Sequence, residues 1–442
     1  MSSTVTLPSG HVPAGDQLPR LLAGLDASGA PIGLDTHLAI WGAVDWRRIP
    51  PGFIDELEAA GVAGHGGAWF PVATKWRSVR GRMLKSPVVV ANASEGEPGS
   101  SKDGFLLTRV PHLALDGAQV AAGALGAGRI VVYASPRLHG ALAAAIAERR
   151  RRGLDPVEIE VAEAPHAFLA GQETSVVNAL NGRPALPSFA GVTPIRVRGV
   201  GGRPTLVQNV ETLAHVALVA RYGSRWYRGL GTPEAPGSML LTVHGLAEGP
   251  MLLEAPLGAR LGDVLRIPPD DARRLGGVLL GGYGGGWVPP EAALRLPLTE
   301  AAARAQGTSL GAGIVVLLPG GSCPVAETAR IVRYLDEQKA EQCGPCVNGL
   351  GELAALWTAL AVRPGTLGGR VDALVDLCDL VEGRGACRHP DGAARLTRSA
   401  FRAFGAHVDA HLGGGPCASA GAPTRLPGLG RIDIGGPGRG RR

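Results

Sequence analysis

The fold of this chain is decided by a stretch that runs from an apolar segment into a polar loop, Pro87-Val88-Val89-Val90-Ala91-Asn92-Ala93-Ser94-Glu95-Gly96-Glu97-Pro98-Gly99. The β-branched run predicts a buried strand over residues 87–93. Loops that follow the strands of a parallel sheet lie at its carboxyl edge, where such folds bind ligands. The two glutamates of this loop therefore either belong to a solvated surface or form hydrogen bonds with a ribose or a ring edge.

Strands and helices alternate around this stretch. Two more strands are predicted over residues 129–134 and 156–162, and helices over residues 54–60, 112–125, 139–151 and 208–222. Such alternation implies a parallel α/β sheet. We expect this α/β domain to span residues 1–235 and to end in the Gly/Pro-rich linker 229–237.

The pattern changes after this linker. Short strands at 239–243, 251–253, 278–280 and 314–318 around a helix at 261–266 predict a small α+β domain over residues 236–322. Its run Gly281–Gly286 lacks the strand–helix context of a dinucleotide fingerprint and is predicted to be a turn or bulge. Residues 323–412 are predicted to form a helical bundle, with one apolar stripe at Val325, Ala329, Val332 and Leu335 and another at Val371, Leu374, Val375, Cys378 and Val381.

The composition indicates a globular cytoplasmic protein. The 442 residues are 45% hydrophobic and carry a net charge of +6. No apolar run is long enough to cross a bilayer, no secretory signal is visible at the start, and six irregularly spaced cysteines do not resemble a disulfide framework. The Gly/Arg-rich segment 413–442 is expected to be a disordered tail, and nothing else predicts nucleic-acid binding or membrane insertion.

Several glycine-rich segments of the first domain have the character of a ligand cradle. Gly64-His65-Gly66-Gly67-Ala68-Trp69-Phe70-Pro71 leaves the backbone free to lie against a ring or a phosphate, although an ordinary glycine turn has the same composition. Gly171-Gln172-Glu173-Thr174 and Gln208-Asn209-Val210-Glu211-Thr212 are each predicted to open a helix, which either binds an anion or is merely capped by Thr174 or Asn209. The recurrence of such segments in one domain favours a ligand.

The cysteines Cys343, Cys346 and Cys387 predict a metal centre. A C-x-x-C pair with a distant third thiolate suits an iron–sulfur cluster, while a zinc site and a reduced structural pair remain alternatives. Cys378 falls on an apolar stripe and is predicted to be a core residue. Cys323 and Cys417 have no partner spacing and receive no role.

Taken together, these segments resemble the flavin- and NADH-binding subunit of respiratory complex I, known as the F subunit of NADH-quinone oxidoreductase, and its soluble relatives in hydrogenases and formate dehydrogenases. The resemblance runs in order over about residues 55–410 and also includes Asn92-Ala93-x-Glu95-x-Glu97-Pro98-Gly99-x-x-Lys102-Asp103 and Gln342-Cys343-x-Pro345-Cys346-x-x-Gly349. It implies an FMN- and NADH-binding α/β domain, a ubiquitin-like β-grasp domain of the soluble-ligand-binding (SLBB) type and a helical iron–sulfur domain.

The resemblance also assigns residues. The residues implied to bind the cofactors are Gly64, Gly66, Gly67, Phe70, Lys75, Asn92, Ser94, Glu95, Glu97, Phe168, Gly171, Gln172, Glu173, Arg183, Gln208, Asn209 and Thr212. Phe70, Glu95, Glu97 and Arg183 would face NADH. Lys75, Glu95 and Glu97 would be the catalytic groups, with Lys75 near the flavin ring. Cys343, Cys346 and Cys387 would hold the cluster.

The chain departs from the family pattern at several of these positions. Ala340 stands where the family has its first cluster cysteine, so the site would hold a four-iron cluster with one cysteine ligand missing, a three-iron cluster, or none. Ser94, Gln172 and Gln208 replace two acidic residues and an asparagine. Trp69 replaces a glycine on the face where the nicotinamide would stack, and its indole could reshape or block that pocket.

The resulting prediction is an NADH dehydrogenase-type oxidoreductase that passes electrons from NADH through FMN to an iron–sulfur cluster. The acceptor would be a ferredoxin-like or quinone-linked protein, with other dehydrogenase subunits as further partners. Two alternatives stay open. One is a cluster-free flavin reductase or diaphorase, and the other is a non-catalytic flavin-binding electron-transfer subunit.

Overall fold

The apolar run that opens the sequence argument forms an inner strand of a four-stranded parallel sheet. The structure is a computed structural model, and it describes residues 16–429 apart from 27, 45–48, 50–51, 81–84, 190–193 and 368–370. The sheet order is β3-β2-β1-β4, and its strands are β1 Val88–Ala93, β2 Arg129–Ala134, β3 Ile159–Glu163 and β4 Thr205–Asn209. The chain builds β2 and β3 on one side of β1 and then returns to place β4 on the other side. This reversal makes the carboxyl ends of β1 and β4 a topological switch point.

Helices cover this sheet. They are α1 Leu34–Trp41, α2 Phe53–Ala60, α3 Val72–Arg80, α4 Lys102–Arg109, α5 Pro111–Leu125, α6 His139–Arg151, α7 Glu173–Leu180 and α8 Val210–Tyr227. The central pair α5 and α8 approaches closely at Gly117, where an added Cβ would lie 1.9 Å from the carbonyl oxygen of Leu213. Glycine is therefore required at this crossing. Short 3₁₀ turns occur at Pro136–Leu138, Phe168–Gly171, Val200–Gly202, Pro269–Arg274 and Pro364–Thr366.

Most elements predicted in this domain are confirmed, with some differences. The third strand begins at Ile159 rather than at residue 156, and α1, α3 and α4 were not predicted. The predicted helix over 208–222 is wrong at its start, because residues 205–209 form β4 and the helix begins at Val210. β4 is short and ends in two polar residues, so its hydrophobic pattern is weak.

The second unit is a five-stranded mixed sheet of order β6-β5-β9-β7-β8. Its strands are β5 Ser238–His244, β6 Met251–Pro256, β7 Leu275–Leu280, β8 Gly286–Val288 and β9 Ile314–Pro319. β5 and β9 pair in parallel, whereas the other neighbouring strands are antiparallel. The short helices are α9 Leu261–Leu265, α10 Pro290–Arg295 and α11 Glu300–Ala305. The Gly281–Gly286 run connects β7 to β8, and Gly281 and Gly282 have positive φ angles, which confirms the predicted turn.

The third unit is helical, as predicted. It consists of α12 Pro324–Glu337, a π-helical turn Pro345–Leu350 that continues into α13 Gly351–Val362, α14 Asp372–Val381 and α15 His389–Gly414. The first predicted apolar stripe, on α12, is entirely buried. In the second stripe Leu374, Cys378 and Val381 are buried, but Val375 is 43% exposed. The prediction that Val375 belongs to the buried stripe is wrong. The buried face of α14 is narrow and takes only one residue from each turn, and at this turn that residue is Leu374.

The prediction of a disordered tail from residue 413 is wrong for residues 413–429. Leu426 and Leu429 are buried in the core of the helical unit. Arg330 of α12 donates hydrogen bonds to the carbonyl oxygens of Ala420 and Ala422, and Thr424 donates one to Glu327. Residues 430–442 lie outside the described part of the chain.

One segment, Pro345–Val362, meets the length and hydropathy expected of a membrane span. Half of this segment is buried inside the protein, where α13 packs on α12 and α15. Core helices of soluble proteins have the same properties, so length and composition are weak evidence for a span here.

Candidate functional site

A cavity of about 880 Å³ lies where the three units meet. Its volume falls within the range typical of ligand pockets, and its wall combines glycine backbone with polar side chains. The predicted site residues that line it are Gly66, Gly67, Asn92, Ser94, Glu95, Glu97, Phe168, Gly171, Gln172, Asn209 and Cys387. Residues Gly281, Thr308 and Gly311 of the second unit and His389 and Arg395 of the third complete parts of the wall.

Two asparagines mark the switch point of the parallel sheet within this cavity. Asn92 of β1 and Asn209 of β4 are direct register partners at the carboxyl ends of adjacent strands. The Asn92 amide donates a hydrogen bond to the carbonyl oxygen of Gly171 at 2.9 Å. Asn209 caps α8 by accepting from the backbone N–H of Glu211 at 3.0 Å. The capping that the sequence left as an alternative is therefore present, and the same residue also faces the cavity.

The glycine loop before α3 forms one wall of the cavity. Gly64 N–H donates to the carbonyl oxygen of Phe70 at 3.0 Å, which closes the loop. Gly67 has φ +108° and an added Cβ there would meet no atom within 4 Å. Glycine is thus favoured by the backbone conformation, and its missing side chain leaves room in the cavity. This open, main-chain-lined wall is what a planar ring system requires.

Trp69 does not occupy this cavity. Its indole packs on the core of the second unit and donates a hydrogen bond to the carbonyl oxygen of Gly311 at 3.0 Å. The residue has φ +53°, a left-handed conformation that turns the indole away from the glycine wall. Of the two effects expected of Trp69, blocking of the pocket is therefore wrong, while reshaping of the pocket stays a prediction, since Gly311 is part of the cavity wall. Phe70, its neighbour, is 51% exposed and does not line the cavity either.

A buried charge cluster lies at the floor of the cavity. The ammonium of Lys102, 1% exposed, lies 2.7 Å from Asp103 and 2.9 Å from Glu211. Burial acts to lower the pKa of Lys102, but the two carboxylates outweigh it and raise the pKa above its ordinary value. The Asn209 amide completes the cluster by donating to Asp103 at 2.7 Å.

Sequence reasoning did not assign Lys102 to the site. The signal that singles it out is the scarcity of lysine, since Lys102 is one of only four lysines among 44 basic residues. The two neighbouring carboxylates offset the charge of this ammonium, so the cluster holds the Asn209 amide in place at the floor and does not present a net positive charge to the cavity. A row of arginines on the opposite wall was also not predicted: Arg304, Arg388, Arg395, Arg398 and Arg402.

The two glutamates of the opening stretch have different environments. The carboxylate of Glu95 accepts from the Ser100 hydroxyl at 2.6 Å and from the backbone N–H groups of Asp103 and Gly104 at 3.0 and 2.8 Å. It therefore acts as an acceptor for the first N–H groups of α4. Among the hydrogen bonds of the described residues, the carboxylate of Glu97 accepts only the N–H of Tyr283, at 2.6 Å. Burial raises the pKa of Glu97 to about 7.

The other predicted cofactor residues lie behind the cavity wall. Lys75 forms an ion pair with Glu173 and donates to the carbonyl oxygen of Val207. Gln208 accepts from the Trp76 indole at 3.3 Å, and the hydroxyl of Thr212 accepts from the N–H of His65 at 2.9 Å. These contacts connect the glycine loop and α3 to β4 and α8. Arg183 is exposed beyond the end of α7, and the structure does not bring it to the cavity.

The three predicted cluster cysteines converge between α12 and α15. The Ala386 N–H donates to the Cys343 thiol at 3.4 Å. Burial, together with the nearby thiols of Cys343 and Cys387, raises the pKa of Cys346 to about 11, while the N–H of Ala340 donates to its sulfur and opposes this rise. Backbone donors aimed at sulfur are typical of iron–sulfur ligands. The donor set fits such a cluster with three thiolates, and the backbone of Ala340 lies within hydrogen-bond distance of one of them, Cys346.

Comparisons with known proteins agree with this arrangement. Residues 57–218 match the Nuo51 FMN-binding domain, and residues 326–411 match the NADH-ubiquinone oxidoreductase-F iron-sulfur binding region. The F 2 subunit of NADH-quinone oxidoreductase from Rhizobium meliloti (strain 1021) is 31% identical over 382 residues, which are 82% of this chain and 89% of that protein. The F subunit of the same enzyme from Mycobacterium tuberculosis (strain ATCC 25618 / H37Rv) is also 31% identical, over 83% of this chain and 86% of its own length.

Solved structures of NAD⁺-reducing [NiFe]-hydrogenase are similar as well. The air-oxidised form matches 90% of this chain with a TM-score of 0.74 and 28% identity, over 67% of the hydrogenase chain. The H₂-reduced form matches 84% of this chain with a TM-score of 0.72 and 29% identity. The matched part is 64% of that hydrogenase chain, which is less than two thirds of its length.

The fold and the site thus define a flavin-binding oxidoreductase subunit with an iron–sulfur region. More particularly, the chain belongs to the family of F subunits of NADH-quinone oxidoreductase. The predicted activity class, electron transfer from NADH through FMN to an iron–sulfur cluster, is confirmed at the level of this family.

Proposed function

We propose that this chain is the electron-entry subunit of an NADH-oxidising enzyme and that the cavity between its three units holds FMN and the nicotinamide of NADH. When bound, FMN accepts a hydride equivalent from NADH and passes the electrons on singly to the cluster. One observation carries the proposal: the glycine wall and Cys387 line the same cavity. A flavin held by the first unit would therefore lie beside a cluster ligand of the third unit.

The first unit supplies the groups that would hold FMN. The main chain at Gly66 and Gly67 leaves room for the ring system, and the amides of Asn92 and Asn209 provide donors at the switch point. The ion cluster of Lys102, Asp103 and Glu211 fixes the Asn209 amide at the floor of the cavity. Lys75 lies behind the wall, and its ion pair with Glu173 would position α3 and α7 around the flavin site.

The opposite wall supplies groups that would receive NADH. Glu97 faces the cavity with a single hydrogen bond, so its second carboxyl oxygen remains available to a ribose or amide group. The ring of Phe168 packs on Tyr334 and His389 with centroid distances of 6.0 and 5.3 Å, which fixes its orientation at the cavity edge. Arg395, Arg398 and Arg402 of the arginine row lie on α15 and would attract the pyrophosphate.

The middle unit would act as a ubiquitin-like β-grasp domain of the SLBB type. Its order β6-β5-β9-β7-β8 is 2-1-5-3-4 in the unit's own count, with the first and last strands parallel and α9 after the first hairpin. This topology supports the proposal. The proposed domain limits stay at 1–235, 236–322 and 323–412, with residues 413–429 packed on the last.

The cluster site supports electron transfer out of the flavin. Three thiolates would bind the cluster, and Ala340 provides no fourth sulfur. A cluster-free flavin reductase is the second candidate, because this missing ligand weakens iron retention. Iron and acid-labile sulfide in anaerobically purified protein separate the two: both present supports the electron-entry subunit, and both absent supports the reductase.

Partners and compartment follow from the same reasoning. The relatives are subunits of larger enzymes, so we propose other dehydrogenase subunits or a ferredoxin-like protein as electron acceptors, and the cytoplasm as the location. The exposed face of the helical unit around the cluster is where such an acceptor would dock. Electron transfer to added ferredoxin would test this directly.

A glycine pair offers a direct test of the flavin site. Gly67→Leu would push a side chain into the proposed flavin space, whereas Gly182→Leu would add the same side chain at another positive-φ glycine with no atom within 4 Å. The backbone is more strained at Gly67, with φ +108°, than at Gly182, with φ +74°, so circular dichroism of both variants has to show the native fold before their FMN contents are compared. We expect released FMN per chain to fall at least about tenfold in G67L alone. Full FMN content in G67L would contradict this location of the flavin.

A further inference from the structure

A group of two cysteines and two histidines lies apart from the cavity. Cys323 directly precedes α12, His407 and His411 lie four residues apart on one face of α15, and Cys417 follows the end of that helix. One potential ligand atom from each residue lies within 4.8 Å of the others. The sequence spacing of Cys323 and Cys417 predicts no site, because the other two residues of the group are histidines that come close to them only in the folded protein.

The distances within this group fit the ligand shell of a single ion. The Cys323 sulfur lies 3.6 Å from Nε2 of His407 and 3.5 Å from Nε2 of His411. In a tetrahedral site with Zn–S of about 2.3 Å and Zn–N of about 2.0 Å, the sulfur–nitrogen edge is about 3.5 Å. The two sulfur–nitrogen distances therefore match two edges of such a tetrahedron, and all four ligand atoms lie within 4.8 Å of one another.

The surroundings orient the ligand atoms. Nδ1 of His411 lies 3.1 Å from the carbonyl oxygen of Leu360. A carbonyl can only accept, so Nδ1 carries the proton and Nε2 presents its lone pair to the thiols, as metal-bound histidines do. Nε2 of His411 accepts a hydrogen bond from the backbone N–H of Cys417 at 3.3 Å, which places Cys417 beside the same nitrogen. Cys323, which is 2% exposed, accepts from the Ala326 N–H at 3.3 Å.

We infer that Cys323, His407, His411 and Cys417 bind one zinc ion. This ion would attach the segment 415–429 to the helical unit. Two thiolates and two neutral imidazoles cancel the charge of Zn²⁺, so the complex suits a mostly buried place. A two-iron cluster with the same residues would need the cysteines on one iron and the histidines on the other. The short contacts of the Cys323 sulfur to both histidines exclude that separation.

The site has a structural consequence. Cys417 lies at the start of the segment 415–429, whose later residues contact Glu327 of α12 and whose Pro427 carbonyl oxygen accepts from the Tyr283 hydroxyl. The Tyr283 N–H in turn bonds Glu97 at the cavity wall. Zinc would therefore fix the beginning of the segment 415–429, whose end lies beside the proposed NADH site.

Metal analysis of the full-length chain without a histidine tag tests the inference. We expect about one zinc per chain in the wild type and at least about tenfold less in Cys417→Ser and in His407→Ala, since loss of even an outer ligand contact weakens metal binding that much. His166→Ala, an exposed histidine elsewhere, should keep its zinc. Cys387→Ser should keep zinc as well, and only its iron should fall.

A second measurement decides the question even where a variant fails to fold. Chelator-treated wild type is titrated with cobalt(II) alone, and we expect the intense visible bands of a tetrahedral ion bound to thiolates, which should persist in Cys387→Ser because that variant changes only the separate cysteine triad. Tryptic cleavage after Arg425 should be faster in the metal-free protein. A wild type that contains no zinc and takes up no cobalt, or a zinc content unchanged by Cys417→Ser, would overturn the inference. Neither result would affect the flavin proposal.

Discussion

Replacing Glu97 by glutamine should make the stability of the protein less dependent on pH. Burial raises the pKa of Glu97 from 4.5 to about 7. Between these values the folded chain binds more protons than the unfolded chain, so wild-type stability falls as the pH rises from about 4.5 to about 7 and is constant above. Glutamine has no such titration, while its carbonyl oxygen can still accept the Tyr283 N–H.

The magnitude follows from the same pKa. About 2.5 pKa units at about 1.4 kcal/mol each correspond to roughly 3 kcal/mol, and water in the cavity screens the carboxylate and reduces this figure. We therefore expect Glu97→Gln to equal the wild type in free energy of unfolding near pH 4.5 and to exceed it by about 1–3 kcal/mol at pH 8. Urea titrations followed by tryptophan fluorescence at several pH values measure the difference.

Glu95→Gln is the matched control. Both carboxylate oxygens of Glu95 accept hydrogen bonds. In Glu95→Gln the side-chain NH₂ group would face the backbone N–H groups of α4, donor against donor, and the free energy of unfolding should fall by about 1–3 kcal/mol. An E97Q difference that is the same at pH 5 and pH 8, or an E97Q protein less stable than the wild type at pH 8, would refute the reasoning.

Two further substitutions test the floor of the cavity and the cluster site. Lys102→Met would leave the carboxylates of Asp103 and Glu211 buried without a counter-charge, so urea unfolding should show a loss of about 3–5 kcal/mol, whereas Lys85→Met, at an exposed position, should change little. Equal stability of both variants would contradict the buried ion cluster. Ala340→Cys would supply the missing thiolate, and iron per chain in anaerobically purified protein should rise towards about four. Unchanged iron would show that residue 340 does not face the cluster.

The parallel sheet could be predicted because its strands are apolar runs bounded by turns. The strand Thr205–Asn209 was not predicted, because three of its five residues are polar and its pairing with β1 joins residues more than 100 positions apart. The glycine loop and the two asparagines could be identified from local sequence motifs, and the structure places both in the site. The two asparagines lie side by side because the strand order makes β1 and β4 neighbours.

Other parts of the site depend on contacts that no local pattern contains. Lys102 becomes a site residue only when Glu211 of a distant helix approaches it. Trp69 was expected in the pocket because its motif position faces a ligand in relatives, but its positive φ and the acceptor at Gly311 turn the indole onto the second unit. Arg183 was assigned by resemblance alone, and its place beyond α7 leaves it in solvent.

The central claim is that a flavin and a cluster cysteine share one cavity with NADH. An anaerobic titration of freshly purified protein with NADH, followed by visible absorption, tests it most directly. Flavin absorption should be present at about one FMN per chain and should bleach on addition of NADH, together with the broad absorption of an iron–sulfur cluster. A correctly folded protein that is colourless and does not take up FMN, or whose flavin is unchanged by excess NADH, would contradict the account.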